Sequence, residues 1–117
     1  MIDKILTCVP VKKTISIRDV NGISAYVKVD DIIYAEATGH RICIYIPGTH
    51  IECYRISLEE LSNLCEGILV RTHKSFLVNK NYIQNIDKVN KYVTLRHPAS
   101  YKSYTIKIGR AYSNMLI

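Results

Sequence analysis

The chain has no tryptophan, one phenylalanine (Phe76) and no Cys-x-x-Cys pair among its four cysteines. It also lacks any uninterrupted apolar stretch near the ~18 residues that a membrane-crossing helix requires. Its first ten residues, Met1–Pro10, do not show the basic start and long apolar segment of a secretory leader. Cys8, Cys43, Cys53 and Cys65 are scattered, and they read as reduced, buried or half-buried thiols of a cytoplasmic protein. The five glycines stand alone, so no glycine-rich loop is available to cradle a phosphate. Acid is the scarcest commodity in the C-terminal part. Residues 71–117 hold nine Lys and Arg against Asp87 alone, a net +8, whereas residues 1–70 hold seven cations against nine acids, a net −2.

What is present fits one domain of 117 residues, long enough to bury a real core. An apolar content of 48% with 22% charged residues is ordinary for a globular fold. The charge asymmetry is not, and it reads as the electrostatic footprint of a polyanion. It is most concentrated in Leu69–Asp87, where Arg71, His73, Lys74, Ser75 and Lys80 surround the short apolar run Phe76-Leu77-Val78. Buried positive charge is costly unless paired, and no acid lies between Ile68 and Ile86. The expected counter-charge therefore lies outside the chain, and a nucleic-acid backbone supplies it.

The hydrophobic pattern is almost entirely that of strands. Thr14–Val20 alternates, Asn21-Gly22 is a strong hairpin signal, and Ile23–Val29 sets Ile23, Ala25, Val27 and Val29 on one face. Further runs are Ile32–Ala37, Arg41–Ile46 and His50–Arg55, separated by the loop Thr38-Gly39-His40 and a turn at Pro47-Gly48-Thr49. A two-residue turn at Gly48-Thr49 is preferred there, because it gathers Ile42, Ile44, Ile46, Ile51 and Cys53 on one face. One segment reads as helix, Leu58–Glu66. Ser57 and Glu60 make a capping box before it, and Gly67 follows the last turn. Short strands at Ile68–Arg71, Phe76–Val78, Tyr82–Asp87, Tyr92–Arg96 and Tyr101–Ile108 complete the chain. Regular short strands with one helix imply an all-β sandwich or open barrel.

Rival chemistries find weaker support. His40-x-x-Cys43 with His50-x-x-Cys53 has the residue types of a zinc site. In a strand, however, positions i and i+3 face opposite ways, so both pairs would need irregular backbone. The cysteines have neither a pocket nor an orienting acid that would make a nucleophile of one. Asp30-Asp31 marks a turn, and Glu59-Glu60 places acid in the first helical turn. No enzyme, metal site or cofactor is expected on these grounds. An RNA-binding or protein-interaction β module stays open as an alternative. Nine tyrosines are available for base stacking, although they are scattered over the strands.

Leu69-Val70-Arg71-Thr72-His73-Lys74-Ser75-Phe76-Leu77-Val78-Asn79 resembles the signature of the LytTR family, the DNA-binding output domains of bacterial response regulators. Asp30–Ala37, the loop 38–40, Ser57–Leu61 and Ile106–Arg110 are similar to the family in order and spacing, with Gly109 where serine is usual. The resemblance covers about residues 11–117 and leaves 1–10 as an N-terminal extension. It implies an elongated stack of antiparallel sheets with one short helix near 58–66, which binds double-stranded promoter DNA, often at direct repeats, through loops. The contacts it implies are His40, then Arg71, Lys74 and Ser75, then Arg110. Lys80 is added from the charge pattern, and His73 and Asn79 are expected to be structural. Arg110 offers a planar fork for a guanine edge and His40 a ring nitrogen in a loop opened by Gly39. Arg71 and Lys74 are expected to anchor the backbone. Such a domain is expected to be monomeric alone and paired on DNA or through a receiver domain, and it needs no cofactor.

Dialysis against a strong chelator is expected to leave both the thermal transition and DNA binding unchanged. A transition lost on chelation and restored by zinc would overturn this reading of the cysteines.

Overall fold

Alternation in the sequence becomes three antiparallel sheets in the computed structural model, which describes residues 13–112. The expected extension 1–10, the domain start at residue 11 and Cys8 lie outside the described residues. The first hairpin joins β1 (Thr14–Arg18) to β2 (Ser24–Lys28). A five-stranded sheet follows, made of β3 (Tyr34–Thr38), β4 (Arg41–Ile46), β5 (Thr49–Tyr54), β6 (Leu69–His73) and β7 (Phe76–Asn79) in the order β5-β4-β3-β7-β6. The third sheet is β10-β9-β8, from β8 (Ile83–Asp87), β9 (Tyr92–Leu95) and β10 (Tyr104–Lys107). The one α-helix among the described residues, α1 (Leu58–Leu64), packs beside β3 and β7. No described helix is long and apolar enough to cross a membrane.

The five-stranded sheet is the middle layer. One of its faces, with Ala35, Ile42, Ile44, Cys53 and Leu77, packs against Ile15, Ile17 and Val27 of the first hairpin and Leu58 and Leu61 of α1. The other face, with Tyr34 and Val78, packs against Val93, Leu95 and Ile106 of the third sheet. Tyr34 stacks on Tyr45 at 4.4 Å between ring centroids and meets Tyr104 at 5.4 Å, so aromatic rings fill this second interface. The stack measures 46 × 37 × 27 Å, the elongated form expected.

Several boundaries differ from the sequence reading for local reasons. The β4–β5 turn is Pro47-Gly48, not Gly48-Thr49, because Ile46 pairs with Thr49. Gly48 takes φ +83 and Pro47 presets the residue before it, the demands of a tight turn at those two positions. The apolar face is nonetheless the expected one, since Ile42 lies opposite Cys53 and Ile44 opposite Ile51. Ile23, which the alternation puts on one face with Ala25, Val27 and Val29, is 62% exposed. The Asp19 carboxylate accepts from the amides of Asn21 and Ile23, which draws Ile23 into the turn. Helix α1 stops at Leu64, since Glu66 and Gly67 both turn to positive φ. Its start is the expected capping box, with Ser57 Oγ accepting from the Glu60 amide and Glu60 Oε1 from the Ser57 amide, both at 3.0 Å. Tyr101 is fully exposed, and the last strand begins only at Tyr104.

Asn79 secures the middle layer at one end. Its fully buried side chain donates Nδ2–H to the Ile32 carbonyl at 2.9 Å, and its Oδ1 accepts from the Asn81 amide at 2.9 Å. Substitution by alanine strands the Ile32 carbonyl away from water. Asn79→Ala is therefore expected to cost about 1–3 kcal/mol in urea unfolding. A cost below about 0.5 kcal/mol would show that the bond is dispensable.

Candidate nucleic-acid interface

Antiparallel pairing brings distant loops to one end of the stack. Gly39-His40 links β3 to β4 as a tight turn, with Thr38 opposite Arg41 and Gly39 at φ +62. Lys74-Ser75 links β6 to β7 just past a bulge between Arg71 and His73. The Ala37 amide donates to the Ser75 carbonyl at 2.8 Å, which holds the two turns side by side. Beyond β10, the Gly109 amide donates to the Thr72 carbonyl at 2.7 Å, which draws Arg110 to the same end. A Cβ on Gly109 would lie 3.1 Å from His73 Cδ2 and 3.3 Å from Tyr112 Cδ2, closer than ordinary van der Waals contact. The glycine thus permits the close approach of this segment to the β6–β7 turn.

Five of the six candidate residues therefore converge: His40, Arg71, Lys74, Ser75 and Arg110. His40, Lys74 and Arg110 are exposed, while Arg71 and Ser75 are partly covered. Lys80 does not join them. It opens the short 3-10 turn Lys80–Tyr82 at the opposite end of β7, where its amide donates to the Ile68 carbonyl. A groove of about 960 Å³ brings His40, Arg71 and Lys74 together with Arg55, and Glu59 and Glu60 of the helix start line its side. Arg55 escaped the sequence reading because it looks like the end of a strand. In the fold it sits at φ +60 just past β5 and lines this groove.

The cations differ in how far they are already engaged. The Arg71 Nε–H donates to the His73 carbonyl at 2.9 Å, a second guanidinium nitrogen donates to the Lys74 carbonyl, and the group lies 5.8 Å from the Tyr112 ring centroid. Arg71 therefore shapes the turn that carries Lys74 as well as adding charge beside it. Arg41 pairs with Glu52 at 2.6 Å, and this bond holds the Glu52 carboxyl below the usual carboxylate range. Among the described residues, Lys74 forms no ion pair. His73 Nδ1 accepts from the Ser75 amide at 3.1 Å, the structural role expected of it, and Asn79 braces the far end of β7 instead.

The cysteine and histidine pairs stay apart. Cys43 lies opposite Glu52 while Cys53 lies opposite Ile42, which puts the two thiols on opposite faces of the hairpin. Burial pushes the Cys53 and Cys65 thiols up to about 11, far from a reactive thiolate. Among the described residues, no group of three His, Cys, Asp or Glu is arranged to hold a metal ion.

Known proteins point the same way. The sequence profile of the LytTr DNA-binding domain matches residues 24–116. Accessory gene regulator protein A of Staphylococcus aureus (strain N315) is 36% identical over 76 residues. The Staphylococcus epidermidis protein of that name is 34% identical over the same length. Each match covers 63% of this chain but only 31% of the relative, so the chain corresponds to under a third of those proteins. In fold, the chain is similar to the LytTr DNA-binding domain of a putative methyl-accepting/DNA response regulator from Bacillus cereus. The TM-score is 0.65 at 20% identity, over 89% of this chain and 93% of that one.

His73→Ala removes the acceptor for the Ser75 amide and the ring that backs Gly109. It is expected to cost about 1 kcal/mol of stability and to weaken DNA binding by more than that loss of folded protein explains. Unchanged affinity in the folded variant would show that the turn holds its shape without the ring.

Proposed function

Because this chain belongs to the LytTr DNA-binding domain family, we propose that it regulates bacterial transcription by binding promoter DNA sequence-specifically through the loops at one end of its sheet stack. The observation that carries this reading is the convergence of His40, Lys74, Ser75 and Arg110, from three separate connections, on one basic end. His40 and Arg110 read base edges, Lys74 and Ser75 hold the phosphate backbone, and Arg71 holds it while shaping their turn. Lys80, at the opposite end of β7, is outside this contact surface. The partner is duplex DNA carrying direct repeats, bound by the domain as a monomer in isolation and as a pair on the promoter. The setting is cytoplasmic, either as the output domain of a two-component response regulator or as a standalone regulator. No catalytic step is assigned to it.

The test is to select binding sites from randomised duplex DNA and compare variants on the selected and scrambled duplexes at several salt concentrations. With roughly four to six phosphate contacts, the log–log slope of affinity against salt should lie near −4 to −5. Arg110→Ala should cost about 1–3 kcal/mol on the selected duplex and little on the scrambled one. His40→Ala should behave likewise but more weakly. Arg71→Ala and Lys74→Ala should weaken both duplexes and flatten the slope by about one unit each. Salt-insensitive binding, or preference for single-stranded RNA over any duplex, would overturn the proposal. If Arg110→Ala weakened both duplexes equally, Arg110 would be an anchor and not a reader.

A further inference from the structure

A fourth connection reaches the same end of the stack. The turn between β8 and β9, residues 88–91, carries Lys88 and Lys91 on either side of Val89 and Asn90. Two consecutive amides after β10 place it. The Ile108 amide donates to the Lys91 carbonyl at 2.8 Å, and the next amide, that of Gly109, donates to the Thr72 carbonyl at 2.7 Å. The β8–β9 turn, the segment leading to Arg110 and the β6–β7 turn are thereby laced in a row.

The turn is also tied by its own hydrogen bonds and open to solvent. The Asp87 carboxylate accepts from the amides of Val89 at 3.0 Å and Asn90 at 2.9 Å, and from the Asn90 side chain at 2.9 Å. These bonds hold the Asp87 carboxyl below its ordinary range and occupy the one acid of the C-terminal part, so it stays turned into its own turn. Lys91 is at φ +63, and Lys88, Val89, Asn90 and Lys91 are all exposed, Val89 to 87%. Among the described residues, neither Lys88, Lys91 nor the neighbouring Lys107 forms an ion pair. Preformed backbone costs little ordering on binding, and cations without internal partners release counterions when a phosphate meets them.

We infer that the β8–β9 turn is an additional DNA-backbone contact, in which Lys88 and Lys91 grip phosphates flanking the bases that Arg110 faces. The inference rests on the proposed DNA binding and extends it along the duplex. Its partner is the duplex phosphate backbone, and it adds affinity without adding sequence preference.

The experiment compares wild type with Lys88→Gln/Lys91→Gln, which keeps the side-chain stems and the strain at residue 91 but removes two charges. A control, Lys28→Gln/Lys102→Gln, removes two charges at the far end of the stack, where the Asp30 carbonyl meets His97. Salt slopes are measured on the selected duplex and on its scrambled counterpart, after thermal melting confirms that both variants fold. The turn variant should lose about one to two units of slope on both duplexes, and its discrimination between them should be unchanged. The control should keep the wild-type slope to within about half a unit. Equal slopes for wild type and turn variant would overturn the inference while leaving the DNA-binding reading intact, as would an equal loss in the control. Absence of salt-dependent duplex binding by wild type would overturn both together.

Discussion

Tyr34 and Ala35 are neighbours in β3 that point to opposite faces, and both are buried. The same holds for Leu77 and Val78 in β7. This two-sided burial of the central strands is the constraint on which the molecule depends. A sheet covered on both faces has no open surface at its centre to offer a ligand, so recognition must happen where strands end. The first hairpin and α1 close one face, and the third sheet closes the other. The turns at residues 39–40, 74–75 and 88–91, the segment after β10 and the connection from β5 into α1 are what one end shows.

Those turns are short and internally tied, which suits them to a rigid partner. His73, Arg71 and Asp87 each spend their polar atoms on the backbone of a turn, leaving Lys74, Lys88 and Lys91 to face outward. A charge carried on a braced two- to four-residue turn loses little freedom when a phosphate binds it. Glu59 and Glu60 line the groove beside these cations, while other acids are engaged or distant. Glu52 is engaged by Arg41, and Asp30 and Asp31 lie in the 3-10 turn at the opposite end.

Much of the fold was legible in the sequence because its signals are local. Period-two alternation located the strands, Ser57 and Glu60 located the helix start, and the face shared by Ile42, Ile44 and Cys53 survived a one-residue error in the turn. The errors fall where a side chain competes with the pattern. Asp19 captures the Ile23 amide, and Pro47-Gly48 offers a tighter turn than Gly48-Thr49. The signature segment was legible too, since cations without acids nearby have few bland explanations.

Position in space was not legible. Lys80 and Lys74 are six residues apart in one basic run, yet β7 separates them to opposite ends of the stack. Nothing in the sequence around Lys88 and Lys91 links them to the signature turn, and only the hydrogen bonds of Ile108 and Gly109 do so. Arg55 gave no sign of its place on the groove with His40. The sequence by itself determined strand content, the capping box, the basic C-terminal part and the signature. Only the tertiary structure decided which cations act together, because non-local strand pairing sets that, and a residue's own neighbours in the chain carry no record of its partners across the sheet.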